Sequence, residues 1–281
     1  MAAVLTDHSY GKSRIRLAKV TRGADRSDVR ELTIEIQLEG DFAGSYASGD
    51  NRLIIPTDTM KNVAYALARE HQLESIEEFG AVLVGHFLEH HPHVVRVTAC
   101  LSEQPLVRLS VQGREHPHAF IGNTGETRTA TVRRWPDGVR VQSGIDGLFL
   151  LKAAGSAFAG FLRDRYTTLP EADDRILATI LKAEWLYSGG ECVWKSAHAC
   201  IRQTLLETFA RHQSLSVQHT LYAMGAAALD SCPEIERISL TMLNKHHIPV
   251  DLKSFDLDNH NEVFIATDEP YGTISGTLQR S

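Results

Sequence analysis

The sequence predicts an α+β fold made of two tandem ββααββ units, each an antiparallel sheet with its helices on one face. The first observation is the regular alternation of apolar and polar residues at 32–38, which is typical of a strand with one buried face. The second is that two strand-like segments, two helical segments and further strand-like segments occur twice in that order. A loop at 122–125 separates the two series, so we predict units at 1–124 and 125–281.

The first predicted unit is defined by two strands, two helices and another strand. The second of its helices has a clear start, because Ser75 and Glu78 form a capping-box pattern, and Pro92 ends it. Shorter β segments follow to about residue 121. The predicted elements are strands at 14–20 and 32–38, helices at about 60–71 and 76–91, and a strand at 93–100.

The second predicted unit repeats that order. The turn Pro136-Asp137-Gly138 joins its first two strands, and Ser188-Gly189-Gly190 marks a break before its first helix. The predicted elements are strands at 127–135, 139–151 and 176–187, helices at 196–212 and 217–229, and strands at 235–243, 263–267 and 273–278. Sheets of this kind leave unpaired edge strands, which favours closure into a symmetric oligomer.

The stretch Ser156–Arg175 has no regular period, although it lies between two strongly apolar strands. It carries the aromatic residues Phe158, Phe161 and Tyr166 and ends on an arginine. A loop of this length is uncommon in a compact domain unless it is functional. An aromatic face and a guanidinium are what a planar anionic ring requires, whereas the simpler alternative is a surface loop with a few anchors.

Composition excludes several classes of protein. The 281 residues are 43% hydrophobic and 23% charged, with a formal net charge of −6, so we expect no nucleic acid partner. No apolar run is long enough for a membrane span, and the N-terminus does not resemble a secretory signal. Cysteine spacing indicates reduced thiols, and the last residues do not form a peroxisomal signal, so we expect a cytoplasmic protein.

One short motif suggests a metal. The segment His86-Phe87-Leu88-Glu89-His90 fits the H-x-x-E-H pattern of inverted zinc peptidases, with both histidines on one helical face. The alternative is the polar end of an amphipathic helix, where positive charge is favourable. Because the helix ends at Pro92 and no third ligand helix follows, we expect no metal.

Several polar clusters, taken together with the stretch Ser156–Arg175, resemble the urate oxidase (uricase) family over nearly the whole chain. Within that stretch the pattern is Phe158-x2-Phe161-x4-Tyr166-x2-Leu169-x5-Arg175. The other clusters are Tyr10-Gly11-Lys12, Thr57-Asp58-Thr59-Met60-Lys61-Asn62, Ser216-Val217-Gln218, Leu243-Asn244-Lys245-His246-His247 and Tyr271-Gly272-Thr273-Ile274.

The resemblance implies a tunnelling fold (T-fold), in which two ββααββ units per chain assemble into a barrel-like homotetramer with active sites between subunits. It also implies oxidation of urate by O2 to 5-hydroxyisourate and H2O2, with no metal and no organic cofactor. A non-catalytic purine-binding or pterin-binding protein on the same fold is the alternative, because one fold can host several functions.

The resemblance assigns the chemistry to a small set of residues. Lys12, Thr57 and His246 are expected to form the catalytic proton relay. Asp58 is expected to assist in binding. Asn244 is expected to hold O2 above the plane of the ring.

The resemblance assigns substrate binding to another set, five residues of the second predicted unit. Phe158 is expected to stack on the purine, while Arg175 and Gln218 grip its edge from two sides. The main-chain N–H of Val217 is expected to add a donor, and Ile274 to line the pocket.

Overall fold

The computed structural model describes residues 3–122, 125–189 and 192–280, and it confirms the predicted α+β class. The helices are α1 (Ala43–Ser48), α2 (Thr57–Glu70), α3 (Ile76–His90), α4 (Trp194–Arg211) and α5 (Val217–Ser231). The strands are β1 (Tyr10–Arg22), β2 (Ser27–Gly40), β3 (Val94–Glu103), β4 (Val107–Val111), β5 (Arg114–Ile121), β6 (Thr127–Trp135), β7 (Gly138–Lys152), β8 (Leu177–Tyr187), β9 (Ile235–Lys245), β10 (His247–Pro249), β11 (Phe264–Ala266) and β12 (Gly272–Gln279).

The compact units of the chain divide later than the predicted boundary between 124 and 125. One holds the described residues up to Gly144 with Leu186–His198, and the second holds Ile145–Trp185 with the described residues from Ala199. The reason is that β6 pairs with Val97–Glu103 of β3 and so joins the first sheet. Asn123 and Thr124 of the predicted boundary loop, and Gly190 of the predicted break, lie outside the described residues. The division into two ββααββ repeats stays a prediction.

The first unit is built on a sheet in the order β1-β2-β3-β6-β7, with antiparallel pairing from β1 to β6. The alternation predicted for β2 is confirmed, because Leu32, Ile34, Ile36 and Leu38 are all buried. Helix α3 packs closely on β3 and β6 at Gly80, where a Cβ atom would lie 2.7 Å from Val132 Cγ2. A side chain at that position would therefore push the helix away from the sheet.

Serine caps set the starts of α3 in the first unit and α5 in the second. Ser75 Oγ accepts a hydrogen bond from the Glu78 N–H at 3.0 Å, which confirms the predicted start of α3. Ser216 Oγ accepts from the His219 N–H at 3.1 Å and starts α5 in the same way. Both helices are 15 residues long. Because each cap fixes the first residue of its helix, it also fixes which residues face the sheet.

The second unit is built on the order β7-β8-β9-β12, to which β7 contributes its later half. Strands β9 and β12 are antiparallel, and α5 lies across them. A Cβ at Gly276 would lie 2.9 Å from Leu221 Cδ2, and a Cβ at Gly225 would lie 2.8 Å from Leu278 Cδ1. Glycine lets the helix and the strand approach this closely. Since the contacts advance from Leu221 to Gly225 and from Gly276 to Leu278, α5 and β12 run in the same direction.

Some elements have no counterpart in the sequence predictions. Helix α1 has only six residues and no buried member, and it ends at Gly49 with a φ of 72°, which favours glycine. The residue before it, Phe42, is buried, and the ring of Tyr10 meets it edge-on at 4.7 Å between centroids. An isolated aromatic anchor of this kind has no periodicity that a sequence pattern could show.

The four cysteines form no disulfide. Cys232 is buried, and its Sγ lies 3.0 Å from Glu234 Oε2. Burial, followed by the neighbouring carboxylate, raises the pKa of the Cys232 thiol to about 12. Among the described residues no helix has both the length and the apolar character needed to cross a bilayer.

A buried ion pair ties α3 to β6 in the first unit. The carboxylate of Glu77 is fully buried, receives Arg128 Nη2 at 2.6 Å and accepts a hydrogen bond from Ser143 Oγ at 2.5 Å. Burial raises the pKa of Glu77, but Arg128 and Ser143 outweigh that effect and hold it below the usual carboxyl range. The charged form is therefore the form that the fold stabilises.

We expect Glu77→Gln to lower the free energy of unfolding by about 3 kcal/mol at neutral pH, because Arg128 keeps a buried charge without its partner. The pKa of Glu77 is lower in the folded protein than in the unfolded chain. The extra stability of the wild-type protein is therefore present above the unfolded pKa of Glu77 and is lost as the pH falls through its folded pKa. Urea titrations across pH measure both effects. The exposed neighbour Glu78→Gln is the control and should change stability by less than about 1 kcal/mol. A Glu77→Gln protein as stable as wild type at neutral pH would contradict this account.

Candidate active site

The first group of predicted site residues lies in the first unit and consists of Lys12, Thr57 and Asp58. Lys12 is on β1, opposite Ile36 of β2, at the point where the β1–β2 register shifts. Arg14 in the shifted segment has a φ of 57°. A bulge of this kind bends a strand and turns its side chains, which sets the direction of the Lys12 side chain.

Tyr10 fixes the approach to Thr57. Its hydroxyl accepts a hydrogen bond from the Ile55 N–H at 2.8 Å and lies 3.2 Å from the Ile55 carbonyl oxygen, to which it donates. Burial raises the pKa of the Tyr10 phenol, so the hydroxyl stays protonated. The segment before α2 is thereby held to β1, and Thr57 follows as the first residue of the helix.

Asp58 is exposed and anchored within the first turns of α2. Its carboxylate forms an ion pair with Lys61 Nζ and accepts a hydrogen bond from Asn62 Nδ2 at 3.1 Å. The hydrogen bond and the charge of Lys61 lower the pKa of Asp58, and the charge of Lys12 adds a smaller effect in the same direction. Lys12 and Asp58 therefore belong to one electrostatic group.

The second group is in the second unit and begins with the stretch Ser156–Arg175, which folds back on itself. The Phe158 N–H donates to the Ala172 carbonyl at 2.7 Å, and the Ala172 N–H donates to the Phe158 carbonyl at 3.0 Å. The Arg175 N–H donates to the Ser156 carbonyl at 2.7 Å, and the Ser156 N–H donates to Asp174 Oδ1 at 3.0 Å. These bonds bring the guanidinium carbon of Arg175 to 5.0 Å from the centroid of the Phe158 ring.

Arg175 is a partly buried cation without a counter-ion in the described part of the chain. Its Nε atom is buried and has no hydrogen-bond partner there, and no carboxylate lies within ion-pair distance. Burial lowers the pKa of the guanidinium, which is the sign of a charge removed from water. Because a desolvated charge is costly unless paired, the arrangement is suited to an anion over the Phe158 ring.

The first turn of α5 supplies the next residues, Val217 and Gln218. Val217 is buried and is the first residue of the helix, and the Gln218 side chain is exposed. The main-chain N–H groups of a first turn have no carbonyl one turn earlier, so they are available to an acceptor. The turn is joined to the stretch Ser156–Arg175, because the Ala157 N–H donates to the Ser214 carbonyl at 2.8 Å.

Asn244 and Ile274 meet at the start of the β9–β12 ladder. Gly272 lies opposite Asn244, and a Cβ at Gly272 would be 3.7 Å from the Asn244 Cβ and 3.6 Å from Ile274 Cδ1. Both side chains therefore border the space above Gly272. His246 follows β9 directly, and its carbonyl accepts hydrogen bonds from the Thr267 N–H at 3.0 Å and the Thr267 hydroxyl at 3.2 Å.

The packing of α5 on β12 brings these side chains toward the first turn of the helix. Leu221 packs at Gly276 and Gly225 packs at Leu278. One turn of helix and two residues of strand both cover about 6 Å, so the same spacing continued one step back along α5 predicts that Val217 lies near Ile274. The second unit thus gathers one set of predicted binding residues.

The predicted relay residues are not all in one unit. Lys12 and Thr57 are in the first unit, whereas His246 is in the second with the predicted binding residues. Sequence reasoning missed Tyr10 as an anchor and missed the buried hydroxyls of Ser214 and Thr220. Tyr10 belongs to the motif Tyr10-Gly11-Lys12, whereas no sequence pattern marks Ser214 or Thr220.

The H-x-x-E-H segment lies in the last turns of α3. The rings of His86 and His90 are stacked at 4.4 Å, and His90 Nδ1 is 2.9 Å from the His86 carbonyl. Glu89 is 3.1 Å from Arg134 Nη1, so the carboxylate that a peptidase would use forms an ion pair. In the described ranges no group of three or more histidine, cysteine or acidic side chains is arranged to hold a metal ion.

The fold is α+β, and the second unit places a partly buried guanidinium against an aromatic ring. A family model described as Uricase matches residues 8–133 and 141–275, and the chain belongs to the uricase family. The uricase of Arthrobacter globiformis is 42% identical over 99% of this chain and 90% of that protein, and the uricase of Oryctolagus cuniculus is 37% identical over 96% and 93%.

Solved structures agree with this assignment. A crystal structure of the Arthrobacter globiformis uricase superposes with a TM-score of 0.95, covering 100% of this chain and 96% of that chain. A uricase structure from Bacillus fastidious has a TM-score of 0.84 at 23% identity, covering 98% and 94%, which shows the fold alone.

We expect Tyr10→Phe to lower the free energy of unfolding by about 1–2 kcal/mol, because the Ile55 N–H and carbonyl lose a partly buried partner. Urea titration measures the change. Tyr65→Phe is the matched control, because the Tyr65 hydroxyl is exposed and its hydrogen bond to the Arg16 carbonyl is long, at 3.4 Å. Its effect should stay within about 0.5 kcal/mol, and equal effects from the two variants would rule out the anchoring role of Tyr10.

Proposed function

We propose how this chain, a urate oxidase by family, carries out its reaction. Urate, O2 and water give 5-hydroxyisourate and H2O2, and no metal or organic cofactor takes part. The observation that carries the proposal is the partly buried guanidinium of Arg175, which lies over the Phe158 ring and has a buried donor without a partner among the described residues. Urate supplies what this arrangement lacks, since it is a flat ring that is already an anion near neutral pH.

Binding is proposed to use the second group of residues. The Phe158 ring stacks on the purine, and the guanidinium of Arg175 donates two parallel hydrogen bonds to one edge of the ring. Gln218 and the Val217 N–H meet the opposite edge from the first turn of α5, and Ile274 closes the pocket. Partial burial strengthens the Arg175 contacts, because the effective dielectric constant is lower there than in water.

The chemistry is proposed to depend on proton removal. A second deprotonation makes the urate ring electron-rich enough to reduce O2 directly, so the protein has to accept and return protons. Lys12 acts as the base through the Thr57 hydroxyl, and His246 completes the relay. Asn244 holds O2, and later water, above the ring, while Asp58, whose carboxylate pairs with Lys61, assists binding.

The two groups of residues are proposed to meet between subunits of a homotetramer. Among the described residues, β1 pairs only with β2 in the first unit and β12 pairs only with β9 in the second, so each unit presents an edge that a second copy can extend. Thr57 and Asp58 of one subunit would then complete the pocket that Arg175 and Gln218 of another begin. The cysteines without disulfides fit a reducing compartment, and we propose the cytoplasm.

The direct test is a urate assay in oxygenated buffer with excess EDTA. We expect the ultraviolet absorbance of urate to fall and one H2O2 to form per urate consumed, at the same rate with and without the chelator. Binding of urate without turnover would favour the purine-binding alternative. Loss of turnover in EDTA would show that a metal is required and would overturn the cofactor-free mechanism.

We expect Lys12→Met and Thr57→Ala each to lower kcat by about 100-fold or more, because each removes a member of the proton relay. The dissociation constant of xanthine, a purine that can bind without being oxidised, should change less than twofold. Stopped-flow kinetics and calorimetry measure the two quantities.

Two further variants serve as controls for the relay. Thr57→Ser keeps the hydroxyl and should retain most of kcat. Arg175→Lys keeps the charge but loses the paired donors, so it should raise KM and weaken xanthine binding about tenfold or more. Unchanged kcat in both Lys12→Met and Thr57→Ala would contradict the relay.

A further inference from the structure

The two arms of the proposed urate grip, Phe158 with Arg175 and Val217 with Gln218, come from different elements of the second unit. They are joined where the main chain at Ser156 runs beside the main chain at Ser214. The Ala157 N–H donates to the Ser214 carbonyl at 2.8 Å, and the Ser214 N–H donates to the Gly155 carbonyl at 3.0 Å. These two bonds set where one arm starts with respect to the other.

The side chain of Ser214 continues this connection into α5. Its hydroxyl is fully buried, accepts a hydrogen bond from Thr220 Oγ1 at 2.8 Å and donates to the Ser216 carbonyl at 3.1 Å. Thr220 is also fully buried, and its N–H donates to the same Ser216 carbonyl at 3.1 Å. Three groups therefore form a closed hydrogen-bonded ring at the base of the helix.

Val217 and Gln218 belong to the segment of chain that the ring closes, between Ser216 and Thr220. Their main chain cannot rotate about the start of α5 without breaking a bond to Ser214 or Ser216. Because Ser214 also carries the main-chain bridge to Ala157, a shift of the turn changes its distance from Arg175. Both hydroxyls are out of water, so a lost bond is not replaced by solvent.

We infer that Thr220 and Ser214 are positioning residues that hold the α5 arm of the urate grip at the correct distance from the Arg175 arm. This inference rests on the proposed function. Neither side chain takes part in the proton relay, which uses Lys12, Thr57 and His246. A less rigid site binds urate more weakly in the ground state and in the transition state by the same amount. The change therefore raises KM and leaves kcat unaffected.

The test is Thr220→Val, which keeps the shape of the side chain and removes only the hydroxyl. We expect KM for urate and the dissociation constant of xanthine each to rise about tenfold, while kcat stays within about twofold of wild type. Thr220→Ser restores the hydroxyl and should return both constants to within about twofold. Steady-state kinetics and calorimetry on the full-length protein supply the numbers.

Thr179→Val is the matched control. Thr179 is a fully buried threonine of β8 in the same unit, and within the described residues its hydroxyl has no partner. Its replacement should leave KM and kcat unchanged, so a rise in KM confined to Thr220→Val separates positioning from the general loss of a buried hydroxyl. A KM rise of equal size in both variants would overturn the inference.

Other outcomes also decide the question. An unchanged KM in Thr220→Val, or a loss of kcat without a change in KM, would show that the hydroxyl does not position the grip. Should Thr220→Val fail to fold, Ser214→Ala removes the same hydrogen bond from its other end and takes the same expected values. Absence of urate turnover in the wild-type protein would instead overturn the proposed function, and that result does not depend on either variant.

Discussion

The guanidinium of Arg175 is a charge held partly out of water, and much of the second unit is arranged so that it stays in place. The main chain that carries it is fixed, because the Arg175 main-chain N–H donates to the Ser156 carbonyl and the Ser156 N–H donates to Asp174 Oδ1. The cost of keeping such a charge desolvated is offset once an anion fills the space beside Phe158. These main-chain hydrogen bonds join the two ends of the stretch Ser156–Arg175 and fix where the Arg175 side chain begins.

Each unit uses glycine and serine to place a helix on a sheet. Ser75 caps the start of α3 and Ser216 caps the start of α5. At the contact points glycines have no side chain that would hold helix and strand apart. In the second unit the cap has an added role, because the capped turn carries Val217 and Gln218. The serine cap therefore also fixes the main chain of the two residues that we propose to bind urate.

Sequence patterns predicted what depends on neighbours along the chain. The alternation in β2 and the capping pattern of Ser75 are local, and both were confirmed. The proposed site residues came from the resemblance to uricases, because motifs that lie more than 200 residues apart have no local relation to one another. Secondary structure alone would not have linked Lys12 to His246.

What the sequence did not show depends on contacts across the fold. The bond between Thr220 and Ser214 and the bonds between Tyr10 and Ile55 join side chains whose types are ordinary for their positions. The pairing of β6 with β3 is likewise a long-range choice that neither strand encodes alone. Burial turns these ordinary residues into structural constraints.

The state of Cys232 has a consequence for an enzyme that releases peroxide. Peroxide oxidises a cysteine through its thiolate, and a thiol with a pKa of about 12 is almost entirely protonated at neutral pH. The carboxylate of Glu234 beside the sulfur maintains that protonation, and burial keeps oxidant away. The same chain that generates H2O2 thus holds the Cys232 thiol, which follows the last residue of α5, in the protonated form that reacts least with peroxide.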